Sequence, residues 1–327
     1  MLSRRHIIAG LAGTTLATRV RAQAKRPVIV AEPLHGIGYL PLYVAIAKGY
    51  FAADGLDVHV LTVEGGSAHT NAVLSGQAFA FIGGPEHDAY AKLRGAELRS
   101  VVNIVDRGNV YLTAAKGVTA PVGDLGVLKG KTVVTTPYGG TPNSIIRYLV
   151  QKAGLTLNTD VKLIETTLAG ALAAVSAGGA QIAVTTEPVL TQGIRQGIWG
   201  EPFYNVPKEL GPYAYSTINV RQESVEKDPA TVESFVRNLI RGLKLTHETP
   251  DEATAVARKE FPTMAADDMK ATMDRSFADS LWSKDGMVSE AGWTTAESVV
   301  LAAGLLKQPV PYGAIIDMSF VKKVMAG

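Results

Sequence analysis

The sequence has no cysteine among its 327 residues. That excludes disulfides, thiolate metal sites and cysteine nucleophiles together. No apolar run reaches the roughly 20 residues that a membrane-spanning helix needs. Charged residues make up 19% of the chain, and no Lys/Arg-rich run remains beyond the N-terminus, so the footprint of a nucleic-acid binder is missing. The glycine-rich loops contain neither G-x-G-x-x-G nor G-x-x-x-x-G-K-[ST], and G-x-S-x-G is absent. The six histidines (6, 35, 59, 69, 87 and 247) form no H-x-x-x-H or similar ligand pair. No catalytic set, no metal and no cofactor is therefore expected.

What is there suits a globular protein. Hydrophobic residues are 46% of the chain, and the length corresponds to about two domains of ~150 residues each. The first 24 residues, "MLSRRHIIAGLAGTTLATRVRAQA", differ from the rest. A basic start, a short apolar stretch from Ile7 to Ala17 and Ala22-Gln23-Ala24 give the order of an export signal with an A-x-A cleavage site. Ser3-Arg4-Arg5-His6-Ile7-Ile8 also loosely matches a twin-arginine signal. Cleavage after Ala24 removes Arg4, Arg5, Arg19 and Arg21 and no acid, turning a formal charge of +2 into −2. The expected location is the periplasm.

Strand-like and helix-like stretches then alternate, which argues for an α/β protein with largely parallel sheets. "RPVIVAEP", "LDVHVLTVEGG", "AFAFIGG", "KTVVTTPYGG", "DVKLIET" and "AQIAVTTEP" read as strands. "YLPLYVAIAKGYF", "SAHTNAVLSGQ", "PEHDAYAKLRG" and "LAGALAAVSAGG" read as helices, with Ser67 an N-cap. A further helix runs from Pro142 to Ala153, with Thr141 as its N-cap and Gly154 as its stop. "TINV" is expected to return the chain to the first lobe. Beyond it the pattern turns helical. Asp228-Pro229 opens a helix with the stripe Val232, Phe235, Val236, Leu239, Ile240 and Leu243. Thr249 and Glu252 have the spacing of a capping box, and "AADDMKATMDRSF" gives a third helix of this layer.

An internal repeat is the most informative feature. Residues 72–95 align without a gap on 174–197 at an offset of 102. Gly76 meets Gly178, Ala78 meets Ala180, Ile82 meets Val184 and Gly95 meets Gly197. Each copy reads helix end, glycine turn, apolar strand, short loop with Glu and Pro, helix. Two lobes built on one plan would have this signature.

Several strand-to-helix junctions look alike: His35 to Tyr39, Glu64 to Ser67, Gly83 to Glu86, and Tyr138 to Thr141. A fifth, Thr185-Thr186-Glu187-Pro188, replaces glycine with hydroxyls. In an open α/β sheet such junctions lie at the carboxyl ends of the strands, where ligands bind. Glycine lets a ligand approach the backbone, and a helix N-terminus offers unpaired N–H groups. Tyr39, Tyr138 and Tyr90 are either walls of a cleft or packing residues. Glu187 either holds an amine or ring nitrogen, or is a solvated acid at a helix start. Glu86-His87-Asp88 reads as a surface helix start, since neighbours on a helix point different ways. Trp199, Trp282 and Trp293 fall outside the junctions and read as packing residues.

At these stretches the chain resembles the substrate-binding proteins of ABC importers for nitrate, sulfonates, taurine and thiamine pyrimidine precursors. "YLPLYVAIAKGYFAADGLDVHV", "VLSGQAFAFIGGPE", "LKGKTVVTTPYGGTPNSIIRYLVQKAGL", "TTEPVL" and "DGMVSEAGW…KQPVPYGAIID" carry the resemblance. It implies a two-lobed, type II-like periplasmic binding protein with a C-terminal helical layer. Lobe 1 would comprise 25–113 with 218–327, and lobe 2 residues 114–217. It also implies a monomer that takes a small-molecule ligand between hinged lobes and docks on a membrane permease, with no nucleic-acid partner. The implied ligand contacts are Gly38, Tyr39, Gly65, Gly66, Ser67, Gly83, Gly84, Glu86, Tyr138, Gly139, Gly140, Thr141, Thr186 and Glu187. The ligand is a sulfonate, an amine or zwitterion, or a pyrimidine-like ring. Phe79 and Gln181 depart from the family's G-Q-x-D pattern. The cysteine-rich motif of its eukaryotic pyrimidine-making branch is impossible here. A sensor subunit and an enzyme on the same fold remain as alternatives.

Overall fold

The computed structural model describes residues 25–327; the export signal expected over 1–24 lies outside them. Strands and helices alternate through the first two thirds. β1 (Arg26–Glu32), α1 (Leu40–Ala47), α2 (Tyr50–Ala53), β2 (Leu56–Thr62), α3 (Ala68–Leu74), β3 (Ala80–Gly83), α4 (Glu86–Lys92) and β4 (Leu98–Arg107) come first. β5 (Tyr111–Ala114), β6 (Lys131–Thr135), α5 (Thr141–Lys152), β7 (Val161–Glu165), α6 (Leu168–Ser176), β8 (Ile182–Thr185), α7 (Val189–Arg195) and β9 (Tyr204–Asn205) follow. After α8 (Val206–Leu210) comes the long β10 (Pro212–Arg221). The remainder is helical: α9 (Gln222–Lys227), α10 (Pro229–Glu248), α11 (Pro250–Glu260), α12 (Ala266–Ala278), α13 (Glu290–Ala302) and α14 (Ser319–Ala326).

Two mixed five-stranded sheets result, in the orders β2-β1-β3-β10-β4 and β7-β6-β8-β5-β9. In the first, β1, β2 and β3 run parallel and β10 runs antiparallel between β3 and β4. In the second, β6, β7 and β8 run parallel, and β5 lies antiparallel beside β8 and β9. The chain crosses between sheets twice, from β4 to β5 and from β9 through α8 to β10. "TINV" belongs to β10, in the first sheet.

The repeat is structural. β3 begins at Ala80 and β8 at Ile182, 102 positions apart. Each lies parallel to one strand and antiparallel to the next, in the middle of its sheet. All four residues of each are buried, which is why their sequences are continuous apolar runs rather than alternating ones. The paired glycines also match in conformation: Gly76 and Gly178 have φ of 80° and 75°, Gly95 and Gly197 of 86° and 67°. All four sit in the left-handed region where glycine ends a helix without strain.

The C-terminal helices form a layer against both units. α10 buries Val232, Phe235, Val236, Leu239 and Leu243 of the expected stripe, leaves Ile240 half-buried, and packs on α1. α12 packs on α7, and α13 on β10 and α5. Trp282 and Trp293 are buried within this layer, and Trp199 is buried in the core of the second unit against α7.

Ser67 holds the N-cap position of α3 without a side-chain bond, and two other expected caps do not form. The capping box fails because Thr249 stands between two helices and its hydroxyl serves the ending one, donating to the Leu245 carbonyl at 3.0 Å; Glu252 instead pairs with Lys48. At α5 the N-cap is Gly140, not Thr141. The Thr141 hydroxyl is taken by Glu86 in the other unit, 2.5 Å away.

Candidate functional site

The strand-to-helix junctions of the two sheets face each other across a cavity of ≈ 320 Å³, within the range of small-molecule sites. Five of its walls come from strand ends: Pro33 to His35 after β1, Thr62 and Glu64 to Gly66 after β2, Gly83-Gly84 after β3, Thr136-Pro137 and Gly140 to Pro142 after β6, and Thr167 to Ala169 after β7. Parallel strands aim all these turns to one side of each sheet, which is why a ligand site forms there.

Of the residues expected from sequence, Tyr39, Gly65, Gly66, Gly83, Gly84, Gly140 and Thr141 line the cavity. The others do not. Gly38 is turned into the packing, where its carbonyl accepts from Trp282 Nε1 at 3.1 Å. Ser67 is exposed at the start of α3 and its side chain makes no cap bond. Glu86 lies beneath Gly84, fully buried, with Oε1 accepting from Thr141. Gly139 packs against Gly66. Tyr138 is 56% exposed, not a wall, because its N–H donates to Glu165 Oε2 and its ring lies under the Arg147 guanidinium. Thr186 is buried outside the lining.

Glu187 is turned away from the cavity. One of its carboxylate oxygens accepts from Arg275 Nε at 2.8 Å and from the Thr191 hydroxyl at 2.8 Å. The other accepts from the Thr191 N–H and the Thr272 hydroxyl. Burial raises its pKa, opposed by Thr191 and Arg275. It ties the β8–α7 loop to α12 rather than offering a charge to a ligand.

The two units touch at the cleft. Any Cβ on Gly66 would stand 1.9 Å from the Tyr138 carbonyl oxygen, so the first unit's second junction and the second unit's first junction meet backbone to backbone. The Thr141–Glu86 bond closes the same seam one turn deeper.

Three lining histidines stand outside the expected contacts: His35, which opens the first junction, and His69 and His87. The segment Glu86-His87-Asp88, expected at the surface, is buried throughout. The helix α4 is enclosed on every side by β4, the cavity and α13, so no face of its first turn meets solvent. Burial pushes the Glu86 carboxyl up to about 7 and the His87 imidazole down to about 4. Burial, and then the neighbouring His87, hold His69 well below the usual histidine value. The two imidazoles meet edge to face with centroids 4.5 Å apart. His35 behaves oppositely: its bond to Glu32 Oε1 at 3.0 Å raises its pKa. Thr167 to Ala169, Tyr215 and Ser216 also line the cavity. Thr167 carried a readable signal, an N-cap threonine before an apolar helix; it accepts from the Gly170 N–H at 3.1 Å. His69 and His87 carried none, because their burial follows from long-range packing. Among the described residues no group of three or more His, Asp or Glu is placed to hold a metal ion, and no helix is long and apolar enough to cross a membrane.

A family model described as NMT1/THI5 like matches residues 37–253. YtlA of Bacillus subtilis is 26% identical over 313 residues, covering 94% of this chain and 93% of that one. The riboflavin-binding protein RibY of Chloroflexus aurantiacus is 26% identical over 341 residues, covering 96% and 94%. Among solved structures, the alkanesulfonate-binding protein SsuA from Xanthomonas axonopodis pv. citri, bound to MOPS, aligns with a TM-score of 0.72. It is 15% identical and covers 91% of this chain and 99% of that one. That likeness shows the fold alone, which is the periplasmic binding protein fold.

Proposed function

The chain belongs to the NMT1/THI5-like family, and on that premise we propose that it is the solute-binding component of an ABC importer. It captures a small polar organic molecule between two hinged lobes in the periplasm and delivers it, unchanged, to a membrane permease. The observation that carries this reading is the position of the cavity, walled by the strand ends of both sheets at once. The names of RibY and SsuA, each a binding protein for a small molecule, support it. We set the lobes by their strands, 25–110 with 212–327 and 111–211, a few residues from the limits expected of the sequence. The lobes close as a monomer, without chemistry: a ligand touching both favours the closed state by its differential affinity. Tyr39, Gly65, Gly66, Gly83, Gly84, Gly140 and Thr141 are the ligand contacts of this reading, joined by His69 and His87.

Native purification followed by mass spectrometry of the released small molecules tests it. The expected result is one bound compound that is recovered intact after incubation and that compacts the protein in small-angle scattering. Conversion of the compound would replace transport by an enzyme on the same fold. Docking on a receptor ectodomain, with no stimulation of a permease, would replace it by a sensor. A protein with no ligand and no compaction would end the reading.

A further inference from the structure

We propose that His35 is the positioning residue of the cavity's first wall: as an imidazolium it bridges Glu32 and Glu260, holds the β1–α1 junction in place, and makes solute binding weaken as the surroundings turn alkaline. This rests on the solute-binding reading and adds a regulation of that same site. The two ring nitrogens are the first observation. Nδ1 lies 3.0 Å from Glu32 Oε1, and Nε2 lies 3.6 Å from Glu260 Oε2. A neutral imidazole has one N–H and one bare nitrogen. It can serve one of these carboxylates, but it turns a lone pair on the other. The protonated ring serves both.

The setting of Glu32 is the second observation. This residue ends β1 and is fully buried. One carboxylate oxygen accepts from His35 and from the Thr62 hydroxyl at 2.7 Å, and the other accepts from the Tyr43 hydroxyl at 2.5 Å. Among the described residues no lysine or arginine pairs with it, and His35 is its one cationic partner. A buried carboxylate that loses its cation is costly, so the charge on His35 has a fixed place in this wall.

The ring also joins three elements. It stacks on Tyr43 of α1 and packs against Phe261 at the end of α11, with centroids 4.7 and 4.9 Å away. Pro33, Leu34, His35 and Thr62 line the cavity. The next residue, Gly36, faces the second unit, where a Cβ would stand 3.9 Å from the Glu187 carbonyl oxygen. The wall therefore stands between α11 and the β8–α7 loop, and Glu260 ties it to α11. The titratable groups that face the ring are Glu32 from β1, Tyr43 from α1 and Glu260 from α11; the Glu187 carboxylate is engaged by Arg275. The bond to Glu32 raises the His35 pKa, burial opposes it, and the charges of Glu32 and Glu260 add to the rise. The side chain is 35% exposed, so its proton exchanges with water. The clasp is complete below the ordinary histidine value of 6.5 and is lost as pH rises through the raised one.

Amide hydrogen exchange of the ligand-free chain between about pH 6 and pH 9, corrected for intrinsic rates, tests the clasp. Protection over residues 34–40 should fall about fivefold across this range, the worth of one partly exposed ion pair. His35→Gln still donates to Glu32 but carries no charge, so it should show the low protection at every pH. His35→Arg, a cation throughout, should keep the high protection at the alkaline end. Glu260→Gln should lose most of the step, and it decides the matter if the His35 variants fail to fold. Glu86, at about 7, titrates in parent and variants alike and drops out of their comparison. Titration calorimetry with the compound recovered by mass spectrometry should show the same step: between these pH values the parent should lose about fivefold more affinity than His35→Arg. Protection that stays flat in the parent, or a step that persists in the variants, would overturn the clasp and leave solute binding standing. So would an affinity with the same pH dependence in the parent and in His35→Arg. A chain that yields no compound would bring down solute binding, while the exchange step still decides the clasp.

Discussion

Gly66 and Glu86 show how single residues set this cleft. A Cβ at Gly66 would lie 1.9 Å from the Tyr138 carbonyl oxygen, closer than any real contact. A Gly66→Ala variant should therefore fold but fail to bring the lobes together. Its ligand affinity should fall by about tenfold or more, because the competent closed state is depopulated, while the stability of the ligand-free chain changes by less than about 1 kcal/mol. Calorimetry and urea unfolding measure the two. Glu86 gives a pH prediction. Its carboxyl titrates at about 7 in the folded chain against 4.5 in an ordinary setting. Between these values the folded chain holds the extra proton, so acidification stabilises it through this group, and above 7 a buried charge is left. Glu86→Gln removes that charge. It should exceed the parent by about 3 kcal/mol near pH 8 and converge with it near pH 4.5. His87, lowered to about 4, acts in the opposite sense: unfolded chain gains its proton first as pH falls below 6.5, which costs stability. That term is common to both proteins and drops out of their difference.

At the scale of elements, the β8–α7 loop and α12 are held together by a buried ion pair. Glu187 is fully buried and Arg275 also reaches Glu201 at 2.9 Å. Arg275→Met would leave the Glu187 carboxyl without its cation in a closed site, so it should cost about 3 kcal/mol in chemical unfolding. Glu187→Gln in the Arg275→Met background should return part of that loss, and a double-mutant cycle separates the coupling. A cycle showing no coupling would mean that the hydroxyls of Thr191 and Thr272 alone secure the loop. Elements also explain which sequence signals held. The stripe of α10 and the glycine stops of the repeat were legible because each depends on residues three or four apart. The capping box at Thr249 failed because a second helix ends on the same residue, and a spacing rule for one helix does not see its neighbour.

For the whole molecule, the proposed mechanism is closure of two lobes on a ligand, with β4–β5 and α8–β10 as the only strand-level crossings between the sheets among the described residues. A bound ligand should lower the radius of gyration in scattering. It should also raise the melting temperature in proportion to the logarithm of its concentration, reaching about 2.7 kcal/mol of stabilisation at a hundredfold excess over Kd. A ligand that raises the melting temperature without compaction would argue for binding to one lobe alone. The seam at Gly66, Tyr138, Thr141 and Glu86 joins the lobes, so scattering of Gly66→Ala should stay that of the extended form with ligand present.

The sequence by itself determined the class of fold and the two-unit repeat, and of the fourteen positions it named for the cleft seven line the cavity, among them Gly83, Gly84 and Gly140. The first two follow from local rules, since apolar runs make central strands and glycines such as Gly76 and Gly178 end helices where φ is positive; the cleft positions follow from parallel strands aiming their turns to one side. Only the tertiary structure decided which way the other side chains face. Tyr138 and Glu187 stand in junctions of the right form, yet Arg147 on the next helix and Arg275, 88 residues further along the chain, draw them away from the cavity. Glu86 and His87 look like the polar start of a surface helix, yet α13 and β4 enclose that helix and turn it into the wall of the cleft. Burial, and with it charge state, is a property of everything packed around a residue, and no short stretch of sequence contains it.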